Sequence, residues 1–239
     1  MTEVVASFGR AAPTYLAQAA VQEAMADWLA GWLPASRTGR ALEVGAGPGT
    51  FTRRLLPWKG TLIATDASRA MTAAGRKAWP ATQWRTMAAE RPLAGPWDWI
   101  FSSSMLQWAE DPEALFRAWR RRLAPGGHIL AGLFVAGTLE EWTDLAGPGP
   151  LQWRTAKDWK AAVEAAGLRV RREGLEEHIS YHVSAAALLR SLHDTGAAPF
   201  RRLPPARLRR VLRAYDDRHR SGAGVPAHWR FYRFEAEAR

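Results

Sequence analysis

Three glycines separated by single residues, in Glu43-Val44-Gly45-Ala46-Gly47-Pro48-Gly49-Thr50, follow directly on the apolar pair Ala41-Leu42. A second apolar run, Leu62-Ile63-Ala64, leads to Asp66. A strand, a glycine turn, a short helix and a second strand tipped by a carboxylate make up one half of a nucleotide-binding α/β sheet. Glycine reaches backbone conformations closed to other residues and lets a ligand approach the main chain. The acid on the second strand is placed to accept both hydroxyls of a ribose. A dinucleotide site usually reads G-x-G-x-x-G, whereas this turn reads E-x-G-x-G-x-G-T, and the spacing alone leaves the nucleoside open.

The remainder of the chain alternates between helical and strand patterns, which argues for a doubly wound sheet. Apolar positions at helical spacing over 12–33 (Tyr15, Leu16, Ala19, Ala20, Met25, Leu29, Trp32) predict an N-terminal helix closed by Pro34. Strands are expected at 40–45, 61–66, 83–87, 97–101 and from His128 to Phe134. Ser68 is a candidate N-cap for a helix over 69–78, and Asp111-Pro112 opens another that runs to Leu123. Ala124-Pro125-Gly126-Gly127 reads as a turn, and a helix near 155–166 stops at Gly167. The runs 168–183 and 228–237 are expected to form an antiparallel pair completing seven strands, with a basic helical segment, 184–222, inserted between them. One domain over 1–239, with an N-terminal helical segment at 1–34 and a helical cap, fits this length.

The formal net charge of +10 favours an acidic partner. Eight arginines (201, 202, 207, 209, 210, 213, 218 and 220) face only Asp216 and Asp217 between positions 201 and 220. A nucleic-acid partner is not expected, because no zinc set or RNA-stacking motif accompanies the charge. With no cysteine in the chain, disulfide and thiolate chemistry are excluded. No apolar run approaches the roughly 20 residues that span a bilayer, and Met1-Thr2-Glu3-Val4 lacks the start of a signal peptide. The expectation is a cytoplasmic monomer without membrane contact.

The glycine turn resembles motif I of class I S-adenosylmethionine-dependent methyltransferases. Further residues narrow the likeness: Ser7-Phe8-Gly9-Arg10-Ala11-Ala12 with Tyr15 and Gln22; Phe101-Ser102 with Leu106-Gln107-Trp108; Leu123-Ala124-Pro125-Gly126-Gly127; Gly137-Thr138-Leu139; Leu189-Arg190-Ser191-Leu192 with Thr195-Gly196-Ala197. In that order, over nearly the whole chain, they resemble the malonyl-acyl-carrier-protein O-methyltransferases of biotin synthesis. Ala46 stands where that family commonly has Cys, Ala88 where it often has an acid, and Ser103 where Asn is frequent. Trp229-Arg230-Phe231-Tyr232 is divergent.

The resemblance implies a Rossmann-like seven-stranded, mostly parallel sheet and S-adenosylmethionine as cofactor, with S-adenosylhomocysteine as product. Gly45, Ala46, Gly47 and Gly49 would line the methionine part and Asp66 the ribose, with Ala67 and Met71 beside it. Glu43 would orient the glycine loop or, through water, the amino group. Met87 would pack on the adenine, Ala88 and Ala89 would meet it through their backbones, and Ser103, Tyr15 and Gln22 would complete the cofactor site. The implied acceptor is the free carboxylate of malonyl-acyl-carrier-protein, ionised at pH 7 and needing no general base, so no catalytic residue is expected. Tyr15, Leu106 and Trp108 are candidates for the acceptor wall, and Arg10, His182 and Arg190 for a cation that holds the malonyl group. Arg201, Arg202, Arg207, Arg209, Arg210 and Arg213 would dock the acidic carrier protein. A methyltransferase for a small acid such as an aconitate-like substrate, or a non-catalytic binding protein of the same fold, would share the turn but not the need for a basic cap.

Overall fold

The computed structural model of the protein describes residues 2–12, 15, 19–149, 151, 153–196 and 203–238. Its sheet has the order β3-β2-β1-β4-β5-β7-β6, formed by β1 (Arg40–Val44), β2 (Thr61–Asp66), β3 (Gln83–Thr86), β4 (Trp97–Ser103), β5 (Leu123–Phe134), β6 (Leu168–His182) and β7 (Val225–Ala238). The first five are parallel, and β7 inserts antiparallel between β5 and β6. The strand order reverses between β1 and β4, and in open α/β sheets ligands bind beyond the strand ends at such a reversal.

Helices cover both faces. On one, α5 (Pro112–Arg120) and α7 (Ala156–Ala165) bring Phe116, Trp119, Trp159 and Val163 onto Ile100, Ile129 and Phe234, all essentially buried. Asp111 caps α5 through Ala114 N–H at 2.9 Å, and Thr155 and Asp158 form a capping box on α7. On the other face, α2 (Ala20–Ala30) lays Met25 and Leu29 over Gly132 of β5. A Cβ at Gly132 would come within 2.9 Å of the Met25 sulfur, so the missing side chain lets this helix lie close to the strand. The Arg233 guanidinium sits 4.1 Å from the ring centres of both Trp28 and Trp32, tying α2 to β7.

Between β6 and β7 lie α8 (Ala185–Asp194) and α9 (Pro205–His219). With α6 (Glu140–Ala146) they bury Leu188, Leu192, Val211, Tyr215 and Trp142 against Val225, Trp229 and Phe231. Tyr215 Oη donates to the Pro226 carbonyl at 2.8 Å, and Asp216 accepts from Ala185 N–H at 2.8 Å. The inserted segment is thus anchored on β7, and the strip Arg209, Arg210, Arg213 and Arg218 of α9 faces solvent.

Three expectations are corrected. The N-terminal helix does not run through 12–33: α1 (Thr2–Ala11) is separate and α2 starts only at Ala20. The helix expected to reach Leu123 ends at Arg120, because Leu123 already pairs with Trp97 in the sheet. The Ala124–Gly127 turn therefore lies within β5 as an irregularity between the pairs Trp97–Leu123 and Trp99–His128. In addition, the sequence reading did not anticipate α6.

Candidate active site

The carboxyl ends of β1, β2 and β4 open into one cavity, and α1, Tyr15 and α2 close it from above. Its space, open mouth included, is about 860 Å³. A smaller lobe of about 340 Å³ adjoins it. Phe8, Tyr15, Gln22, Ser104 and Trp108 line both, so the two lobes meet at these side chains.

The larger lobe is built on the glycine turn. Gly45, Gly47 and Gly49 take φ of +73°, +56° and +104°, in the left-handed region where a Cβ is penalised. Asp66 stands opposite the turn, its Oδ2 accepting Gly47 N–H at 2.9 Å and its Oδ1 accepting Ser68 N–H at 2.8 Å. These two bonds orient the carboxylate and leave each oxygen a lone pair for ligand hydroxyls. Burial raises the Asp66 pKa, and the two backbone donors oppose the rise.

Glu43 lies deeper, 1% exposed. Its Oε2 accepts from Thr52 Oγ1 at 2.6 Å, whereas Oε1 is buried without a partner. Burial pushes its pKa up to about 8, the Asp66 charge adds to the rise and the Thr52 hydroxyl opposes it. A carboxyl protonated longer in the native than in the unfolded chain adds stability that is full below its ordinary value of 4.5 and lost as pH rises through 8. Without ligand, the thermal midpoint of the wild type relative to Glu43→Gln is therefore expected to fall by several degrees between pH 6 and 8.5, at about 2–4 °C per kcal/mol. A difference independent of pH would place the Glu43 proton elsewhere.

Ala46, Gly47, Ala67, Met71, Met87, Ala89 and Ser103 line this lobe with Glu43, Gly45 and Asp66, as do Tyr15 and Gln22. Gly49 does not. A Cβ there would stand 2.4 Å from the Trp79 ring, so this glycine serves the packing of the turn. Ala88 is exposed and does not line the lobe, which leaves Met87 and Ala89 at the expected adenine end. The Ala89 carbonyl accepts from Trp119 Nε1 at 2.8 Å.

The smaller lobe adds Gln107, Phe134, Trp153 and Trp229, so its wall is mostly aromatic. Among the expected acceptor residues Tyr15 and Trp108 belong to it and Leu106 does not: Leu106 is fully buried in the core beneath β4 and β5. No lysine, arginine or histidine lines either lobe among the described residues. Arg10 and Arg190 are exposed on α1 and α8. His182 pairs with Ser180 Oγ at 3.1 Å outside both lobes, and burial lowers its pKa. Arg201 and Arg202 lie outside the described residues, while Arg207 donates to the Ala146 carbonyl at 3.1 Å. Not expected from the sequence as lining residues were Val5, Phe8, Thr50, Phe51, Ser104, Met105, Gln107, Phe134, Trp153 and Trp229. Phe8 and Gln107 belong to the Ser7–Ala12 and Leu106–Trp108 motifs, and the position of Ser104 just past β4, at a sheet end, is the available signal for it.

Burial also raises the Tyr15 phenol, with the charges of Asp66 and Glu23 adding, so the hydroxyl stays neutral. Together the lobes offer a pocket around the glycine turn with an unmatched buried carboxyl oxygen, opening into a mostly aromatic chamber. This suits a cofactor with an adenosine and a cationic amino-acid end, presented to a second molecule.

Residues 17–173 match the family described as "Methyltransferase domain". Relatives include the "Biotin biosynthesis bifunctional protein BioCD" of Bordetella avium, 36% identical over 87% of this chain and 46% of that protein. The "Malonyl-[acyl-carrier protein] O-methyltransferase" of Hahella chejuensis is 31% identical over 95% of this chain and 86% of that one, and its namesake from Geobacter sulfurreducens 30% over 92% of each. The chain spans about half or less of the two bifunctional relatives, the second being the BioHC protein of Cellvibrio japonicus. Among solved structures, the YcgJ protein of Bacillus subtilis shares the fold at a TM-score of 0.66 and 13% identity, over 90% of this chain and 98% of that one.

Proposed function

The chain belongs to the malonyl-acyl-carrier-protein O-methyltransferase family of class I methyltransferases, and on that premise we propose that it esterifies the free carboxylate of a malonyl group carried as a thioester by an acyl carrier protein. The observation that carries this reading is the two-lobed cavity: one lobe is built on the glycine turn and Asp66, and the other is an aromatic chamber with no carboxylate or histidine among the described residues that line it. When bound, S-adenosylmethionine supplies a methyl group on a positively charged sulfur, which an acceptor oxygen takes while the S–C electron pair returns to sulfur.

The residues of the chain do the rest. Asp66, fixed by Gly47 and Ser68, accepts the ribose hydroxyls, and Glu43 Oε1 answers the amino group directly or through water. Met71 and Met87 pack about the adenine end. Phe8, Trp108, Trp153 and Trp229 keep water from the acceptor, which strengthens an ionised carboxylate as a nucleophile. A malonyl carboxylate is already ionised at pH 7, so a chamber without a base is sufficient. The methyl ester so formed removes the negative charge at the end of the acyl chain, as a precursor for chain elongation toward pimelate requires.

The exposed arginines of α9 would meet the acidic carrier protein. Reversing Arg209, Arg210 and Arg213 to Glu is expected to lower kcat/KM for malonyl-acyl-carrier-protein by about tenfold to a hundredfold at low salt. The gap should narrow at high ionic strength, and turnover of malonyl-coenzyme A should be spared. Equal losses on both substrates, unaffected by salt, would remove α9 from docking and favour a small acid as substrate.

A further inference from the structure

The two lobes meet at Phe8, Tyr15, Gln22, Ser104 and Trp108, so an acceptor oxygen that reaches a methyl group in the larger lobe must pass among these side chains. Two of them, Ser104 and Trp108, carry a buried donor with no partner: the Ser104 hydroxyl and the Trp108 indole N–H. Buried donors are nearly always satisfied, and leaving one unmade costs free energy that a ligand can recover. No cation lines either lobe among the described residues. We propose that these two neutral donors, and not an arginine or histidine, hold the acceptor carboxylate at the junction. The proposal rests on the malonyl reading above and identifies the groups that recognise its carboxylate.

The surrounding structure holds both residues at the junction. Ser104 follows the end of β4 with φ +57°, a left-handed conformation uncommon for a residue with a Cβ. Its N–H donates to the Gly132 carbonyl at 2.8 Å and its carbonyl accepts from Gln107 Nε2 at 2.7 Å, so the main chain is committed and the hydroxyl is not. Trp108 closes the turn at Leu106–Trp108, and the Phe8 ring meets its indole edge-on at 5.7 Å. A neutral pair suits the chemistry. An arginine fork would orient the carboxylate but also draw down the lone pair that must attack, and its charge would repel a cationic sulfur in the adjoining lobe.

The test uses the full chain with malonyl-acyl-carrier-protein. Trp108→Phe keeps the ring and removes the N–H; Ser104→Gly removes the hydroxyl at a φ that glycine adopts freely. Each is expected to lower kcat/KM by about tenfold to a hundredfold, the range for a lost hydrogen bond to a charged group. The loss should fall chiefly on KM, because the carboxylate is most charged before transfer, while affinity for S-adenosylhomocysteine is unchanged. Arg10→Ala and Arg190→Ala should retain wild-type rates. Both donor variants within about twofold of wild type, or loss of malonyl recognition in either arginine variant, would overturn the proposal. A wild type that methylates neither malonyl-acyl-carrier-protein nor malonyl-coenzyme A would overturn the malonyl reading itself, and the donor pair with it.

Discussion

Asp66→Ala is expected to weaken S-adenosylhomocysteine binding by at least about a hundredfold, and to lower kcat/KM for methyl transfer at least as far. In the proposed reading the carboxylate would supply two charge-assisted acceptors to the ribose, and it also fixes the glycine turn through Gly47 N–H. The other oxygen, Oδ1, receives Ser68 N–H at the start of α4 (Arg69–Ala78), so one substitution loosens both walls of the cavity's larger lobe. Titration calorimetry decides the matter: near-wild-type affinity would mean that the ribose lies elsewhere. Asp66→Asn should be milder in stability yet still weak in binding, since an amide cannot accept on both sides.

Gly45→Ala is expected to be nearly as damaging, by a different route. At φ +73° a Cβ is strained, and here it would sit 2.3 Å from Met105 Cγ and 2.5 Å from Met105 Cβ. Those atoms lie near the main chain and cannot swing aside, so the turn or the Met105 segment must move. Left-handed strain of about 1–2 kcal/mol and overpacking of about 1–3 kcal/mol together predict a loss of roughly 2–5 kcal/mol in stability. Gly47→Ala is the control: a Cβ there meets nothing within 4 Å, so only the backbone term applies. Equal unfolding free energies for the two variants, measured by denaturant titration, would contradict this assignment of strain.

The glycine turn and the second acid were legible because their chemistry is local. Asp66 ends β2 where the apolar run ends, and the Ser68 cap on α4 is a matter of adjacent residues, observed as Met71 N–H donating to Ser68 Oγ at 3.3 Å. Gly49 read as a cofactor contact because it shares the turn with Gly45 and Gly47, which line the cavity, but its demand comes from Trp79, thirty residues on, a packing partner no spacing rule names. Leu106 failed for a similar reason. Its motif ends β4 at the correct edge of the sheet, yet a one-turn helix sends Leu106 inward and Trp108 to the cavity. Arg10 and Arg190 were candidates on charge chemistry alone, and the fold places both at the solvent-exposed surface outside the two lobes. Ser104 offered only its position past β4, since its positive φ and unmatched hydroxyl arise on folding.

The most direct measurement is methyl transfer from labelled S-adenosylmethionine to malonyl-acyl-carrier-protein, with acetyl-acyl-carrier-protein alongside. The two acceptors differ only in the free carboxylate, so the comparison isolates the atom proposed to receive the methyl group. Label recovered as a base-labile ester on the malonyl form alone is the predicted result. Label on both forms, or on neither while the protein binds S-adenosylhomocysteine, would contradict the malonyl carboxylate as acceptor.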